Sequence, residues 1–227
     1  MKGLSLMKIL YICGMQQVDT TAAKIAEYLL EINAIKLNLQ SPFTWTSGWK
    51  SPIYSDNRLS LSHPHVRNFI KQELGALIQR HFNEAQAIIG VATAGIAPGA
   101  LAADALNLPF GYVRSEPKKH GMGKQVEGDI QPGQRVVVVE DLVSTGKSSL
   151  QAVQSLREFG CDVLGMVSIF TYGFDAAQQA FSQAQCPYYS LSNYNTLIEV
   201  AAAKGIIQSN QLEVLSEWRK SPDTWGR

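Results

Sequence analysis

The chain has 227 residues, of which 45% are hydrophobic and 17% charged, enough to bury a sizeable core and too little charged for a disordered chain. Twenty Lys and Arg stand against nineteen Asp and Glu, without the basic excess of a general nucleic-acid binder. Cys13, Cys161 and Cys186 form no Cys-x-x-Cys pair, so neither a structural zinc site nor a disulfide framework is expected, and no apolar run reaches the roughly 18 residues that span a bilayer.

The short apolar stretch from Leu4 to Met15 is interrupted by Lys8 and lacks a small-residue cleavage site. Residues 1–16 therefore read as a tail or an upstream start rather than a secretory signal, and the expected compartment is the cytoplasm. Ala22, Ile25, Ala26, Leu29 and Leu30 recur at helical spacing, predicting a helix over 19–32. Residues 41–57, rich in Ser, Pro, Gly and Trp, read as an irregular loop running into a short strand over 53–55. A helix over 65–81 follows, entered through Pro64.

Beyond it, strands are predicted at 87–91, 110–113, 135–139, 163–170 and 187–190. The helices expected between and after them cover 95–106, 148–159, 194–203 and 208–219. Four consecutive valines, Val136 to Val139, suit a strand covered on both faces. Strands alternating with helices define an α/β fold around a mostly parallel five-stranded sheet flanked by helices. Residues 115–133 break the rhythm. They carry Gly121, Gly123, Gly128 and Gly133 among charges and no apolar period, the composition of a functional lid.

The segment Val136-Val-Val-Val-Glu140-Asp141-Leu142-Val143-Ser144-Thr145-Gly146-Lys147-Ser148 carries the chemistry. A buried strand ends in adjacent carboxylates, and Ser, Thr and Gly then open a helix. Ligands of open parallel sheets bind at the carboxyl ends of strands. A helix N-terminus offers free N–H groups and a dipole that favour phosphate. Carboxylates would repel that phosphate, so ribose hydroxyls and a bound magnesium complex are their natural partners. Gly146-Lys147-Ser148 also invites a nucleoside-triphosphatase P-loop, but the glycine required five residues earlier is Asp141.

This segment resembles the phosphoribosyl pyrophosphate motif of the type I phosphoribosyltransferases. The resemblance implies that Glu140 and Asp141 hold the ribose hydroxyls, while the 142–148 turn surrounds the phosphate on the ribose. Two further segments resemble one branch. Phe43-Thr-Trp-Thr-Ser47-Gly48-Trp-Lys50-Ser51-Pro52-Ile-Tyr54-Ser-Asp56-Asn-Arg58 is similar to the N-terminal hood of orotate phosphoribosyltransferases. Tyr112-Val-Arg114-Ser-Glu-Pro-Lys118-Lys-His120-Gly121 is similar to their catalytic loop.

That family implies the type I phosphoribosyltransferase fold: a tail at 1–16, a hood-forming segment at 17–60 with C-terminal contributions, and a core with C-terminal helices at 61–227. It also implies a homodimer whose loops reach the neighbouring site, substrates orotate and phosphoribosyl pyrophosphate, and Mg²⁺ carried by the substrate with no direct protein ligand. Neither nucleic acid nor membrane is expected as a partner. Arg114, Lys118 and His120 are expected to bind pyrophosphate and, with Asp141, to act in catalysis. Cations near the leaving group stabilise its developing charge, more so when closure excludes water. Thr93 and Ala94, after the 87–91 strand, are expected to add backbone contacts to the pyrophosphate.

Two family positions differ. Some members carry Lys where this chain has Thr46, and many have an Arg after the fourth core strand, where this chain reads Phe170-Thr-Tyr-Gly-Phe-Asp175. Ser144, Lys50, Tyr54 and Arg58 are therefore the candidates to hold orotate, an anion that needs donors or positive charge. Trp45 and Trp49 are expected to pack the hood. Two alternatives remain at this stage: a purine phosphoribosyltransferase, which would not need the hood, and a non-catalytic sensor of phosphoribosyl pyrophosphate, which would be expected to show a basic face.

Overall fold

The computed structural model describes residues 20–45, 47–114 and 125–226. In chain order, helix α1 (Thr20–Glu31) leads into strands β1 (Ile35–Leu37), β2 (Phe43–Thr44), β3 (Lys50–Ser51) and β4 (Ile53–Ser55). A 3-10 turn (Asn57–Ser62) then enters helix α2 (Pro64–His81), whose Pro sits at the first helical position, where no N–H is needed. The alternating part comprises β5 (Ala87–Val91), α3 (Ile96–Leu106), β6 (Phe110–Val113), β7 (Val126–Glu127), β8 (Arg135–Val143), α4 (Lys147–Phe159), β9 (Asp162–Thr171), α5 (Asp175–Gln183) and β10 (Tyr188–Asn193). Helices α6 (Tyr194–Ala203) and α7 (Leu212–Lys220) close the chain.

The sheet order is β10-β9-β8-β5-β6-β7, parallel throughout except for the β6–β7 rung. The five parallel strands are those read from the sequence. The two-residue β7 is an addition, invisible in the sequence because Val126 is its one buried apolar residue. It pairs Tyr112 with Glu127 and Val113 with Val126. Strand β8 also continues past Val139: Glu140 pairs with Ser168, Leu142 with Phe170 and Val143 with Thr171. The acidic pair is thus held in the ladder instead of following it.

The central valines explain the two-sided packing. Successive strand side chains point to opposite faces. Val137 and Val139 enter the core beneath α1, α2, α6 and the hood. Val136 and Val138 enter the core shared with Val153, Leu156 and Phe181 of α4 and α5. Helix α5 lies where the sequence reading placed only a connection, because Ala177 and Phe181 are its sole buried residues and show no readable period.

The hood is built from two small antiparallel pairs. Strands β1 and β4 align Ile35 with Ser55, and β2 and β3 align Phe43 with Ser51. Gly48, at φ 84°, turns the second pair, its N–H donating to the Trp45 carbonyl at 2.8 Å. An aromatic cluster ties hood to core. Trp218 of α7 is fully buried, with its ring 5.7 Å from Trp45, 5.8 Å from Tyr172 and 5.4 Å from Tyr194. Its indole N–H donates to the Lys50 carbonyl at 3.1 Å.

Candidate active site

The carboxyl ends of β5, β6, β8 and β9 open at one edge of the sheet, where Thr93, Ala94, Arg114 and Ser144 to Gly146 lie on the segments that leave β5, β6 and β8. At the centre, Glu140 is buried at 6% exposure and its carboxylate accepts the Asp141 N–H at 3.2 Å. Burial, then the Asp141 charge, pushes the Glu140 carboxyl well above its usual range. Burial raises Asp141 too, against a hydrogen bond from Glu140 and backbone N–H donors that favour its ionised form. The Asp141 carbonyl accepts the Asn57 side-chain N–H at 2.8 Å, joining the hood to β8.

Beyond Val143 the chain turns into α4. The Thr171 hydroxyl and the Tyr172 amide both donate to the Val143 carbonyl, at 3.2 and 3.1 Å, fixing the start of this turn. The amides of Ser144, Thr145 and Gly146 donate to nothing among the described residues. They form an N–H-lined concavity at a helix N-terminus, suited to an anion. Gly146 is required there. Its φ is 78°, and an added Cβ would lie 2.9 Å from a Phe181 ring carbon. Gly146→Ala is expected to cost about 1–3 kcal/mol of stability, from overpacking and left-handed strain. Urea denaturation checks this through a lower midpoint at unchanged slope.

A second turn of small residues, 92–95, leaves β5. The Gly95 N–H donates to the Val91 carbonyl at 2.9 Å, and a Cβ on Gly95 would fall 2.5 Å from the Val139 carbonyl oxygen. The β5 turn can lie this close to strand β8 only because that position is Gly. Thr93 is exposed on this turn. Ala94 borders one small cleft with Asn57, Arg58 and Asp141. Arg114 follows β6 and pairs with Glu127 at 3.5 Å, its backbone N–H donating to the Gln125 carbonyl at 3.0 Å. Lys118 and His120, like Thr46, lie outside the described residues.

Between the hood and the ends of β8 and β9 lies a cavity of about 510 Å³. The hood contributes Thr44, Trp45, Ser47, Trp49, Tyr54 and Ser55, and the core contributes Leu142, Ser144, Thr145 and Tyr172. Of the four residues expected to hold a base, Tyr54 and Ser144 line this cavity. Lys50 and Arg58 do not: Lys50 donates to the Thr44 hydroxyl at 2.8 Å, and Arg58 grips Asp56 through two bonds of 2.6 and 2.9 Å. Tyr172 was missed as a lining residue, since its position after the fourth core strand was its one sequence signal. Glu140 and Asp141 are too few to form a metal site alone, and no three His, Cys, Asp or Glu converge among the described residues.

A parallel sheet thus ends in a buried acidic pair, beside an amide-lined turn and an aromatic-walled cavity. The phosphoribosyl transferase domain matches residues 64–200. An orotate phosphoribosyltransferase of Porphyromonas gingivalis is 53% identical over 209 residues, 92% of this chain and 100% of that one. One from Bacillus subtilis is 54% identical over 200 residues, 88% of this chain and 93% of that one. The crystal structure of orotate phosphoribosyltransferase from Aeropyrum pernix superposes with a TM-score of 0.69 at 30% identity, covering 81% of this chain and 99% of that one. The chain belongs to the phosphoribosyltransferases and, within them, to the orotate phosphoribosyltransferase family.

Proposed function

We propose that this chain transfers ribose 5-phosphate from phosphoribosyl pyrophosphate to N1 of orotate, giving orotidine 5'-monophosphate and pyrophosphate, a step of pyrimidine biosynthesis. The observation that carries this reading is the aromatic cavity lined by Ser144 and Thr145 of the N–H-lined turn and by Leu142, the residue after the acidic pair. A planar base in the cavity lies beside a ribose whose phosphate occupies residues 144–148. A purine enzyme would need no such hood, and the 53% identity runs over the hood as well as the core.

In this mechanism the amides of Ser144 to Gly146, with the 147–148 turn, hold the 5-phosphate. Glu140 and Asp141 hold the ribose hydroxyls, and Thr93, Ala94 and Arg114 border the pyrophosphate. Ser144 and Tyr54 orient orotate. As the C–N bond forms at the anomeric carbon, the C–O bond to pyrophosphate breaks and the N1 proton passes to the departing pyrophosphate. Mg²⁺ carried by the substrate would offset pyrophosphate charge when bound. Lys118 and His120, in the 115–129 loop, supply positive charge to the leaving group, from the partner subunit in a homodimer. Buried free thiols at Cys161 and Cys186 suit a reducing cytoplasm, and among the described residues no helix is long and apolar enough to cross a membrane.

The direct test is loss of orotate absorbance on mixing with magnesium phosphoribosyl pyrophosphate, with uracil and hypoxanthine alongside. Turnover of orotate alone is expected, and turnover of hypoxanthine instead would overturn the reading. A second expectation concerns Lys118. Lys118→Ala should lower kcat by on the order of 100-fold or more with a much smaller change in phosphoribosyl pyrophosphate affinity, since charge on the leaving group develops only in the transition state. Equal losses of kcat and affinity would show that Lys118 serves binding alone.

A further inference from the structure

We infer that Arg219, on the C-terminal helix α7, supplies the positive charge that recognises the carboxylate of the base; this rests on the orotate reading above. The cavity assigned to the base is lined by aromatic rings and hydroxyls and contains no cationic side chain among the described residues. An anionic base desolvated there needs charge-assisted donors, because a buried unpaired carboxylate is costly.

The structure brings one to its edge. A second cleft, of about 260 Å³, shares Trp49 and Thr145 with the first and is lined by Arg219 and Lys220. The Arg219 guanidinium donates from Nη2 to the Gly173 carbonyl at 2.7 Å and from Nε to the Tyr172 carbonyl at 3.3 Å. Its Nη1 has no partner among the described residues. Asp175 and Asp223 border the same cleft, but no ion pair joins either to Arg219. The guanidinium therefore sits, half-buried and oriented, on the turn after the fourth core strand, the stretch whose own sequence, 170–175, lacks an Arg. A carboxylate projecting from a ring between Trp49 and Thr145 would meet its free edge. Lys220, exposed and without a partner among the described residues, lacks that orientation.

The experiment compares wild type, Arg219→Gln and Arg219→Lys by the KM for orotate, the KM for phosphoribosyl pyrophosphate, kcat, and the inhibition constant of the neutral 6-carboxamide of orotate. Arg219→Gln is expected to raise the KM for orotate roughly 10- to 100-fold, the worth of a hydrogen bond to a charged group. The inhibition constant of the carboxamide and the KM for phosphoribosyl pyrophosphate should change little. Arg219→Lys should recover part of the orotate affinity. Both constants describe folded enzyme only, so loss of active protein does not imitate the result. Equal weakening of orotate and carboxamide would make Arg219 a brace for the 172–173 turn and overturn the inference, as would no change in either. Failure of the wild type to use orotate would instead overturn the functional reading beneath it.

Discussion

Trp218→Ala is expected to remove about 3–5 kcal/mol of folding free energy and to weaken orotate binding with it. Trp218 is fully buried and edge-packed against Trp45, Tyr172 and Phe174. These rings belong to the hood and to the turn after β9, so the indole helps to join hood to core. Truncation leaves a cavity the size of an indole, and the Lys50 carbonyl loses its N–H donor. A loss of this size in a chain of this length corresponds to a fall in Tm of roughly 6–20 °C, readable by calorimetry. Because Tyr172 and Trp45 also line the base cavity, the KM for orotate should rise more than that for phosphoribosyl pyrophosphate. Trp218→Phe separates the contributions in part: it keeps one buried ring, leaves a smaller void than Ala, and loses the hydrogen bond, worth about 1 kcal/mol. If Trp218→Ala melted with the wild type, helix α7 would not be clamping the hood.

The acidic pair gives the second large effect, in which stability and activity move in opposite directions. Glu140 is nine-tenths buried, and its carboxyl is pushed up first by burial and then by Asp141. A carboxyl raised in the folded state contributes stability that is fully present below its unfolded value of about 4.3 and is lost as pH rises through the folded value. Glu140→Gln removes that loss. The variant should match the wild type near pH 4 and become the more stable protein as pH rises toward 8, by roughly 0.5–2 kcal/mol. Activity should fall by on the order of 100-fold, because an amide cannot give the ribose a charged acceptor. Asp141→Asn should lose activity similarly. Thermal melts across pH and steady-state rates check both halves. A Glu140→Gln protein less stable than wild type at pH 8 would mean that the carboxylate is compensated by groups not seen around it.

The contrast between these two sites shows what each level of description supplies. Glu140, Asp141 and the turn at Ser144 to Ser148 were legible in the chain because their chemistry is local: consecutive residues form the strand end, the turn and the helix start. Chain order alone sets their spacing. The same holds for the valine strand and for the small-residue turn at 92–95, whose need for Gly95 follows from the neighbouring β8 backbone. Helix α5 and strand β7 were not legible, since each buries at most two apolar side chains and gains its stability from elements distant in sequence.

Base recognition lies still further from local order. Lys50 and Arg58 carry the right charge and stand in the right segment, yet side-chain pairing with Thr44 and Asp56 engages them outside the cavity. Arg219 carries no local sign of a role, and reaches the turn after β9 because α7 folds back through Trp218. By itself the sequence determined the parallel sheet, the acidic pair, the phosphate turn and the family, because hydrophobic period, turn chemistry and contiguous motifs are written along the chain. Only the tertiary structure decided which cations are engaged elsewhere, that Arg219 reaches the turn after β9, and that the C-terminal helix locks the hood. The last of these depends on packing between residues far apart in the chain, as in the Trp218 to Lys50 bond with its separation of 168, and no local pattern encodes such a contact.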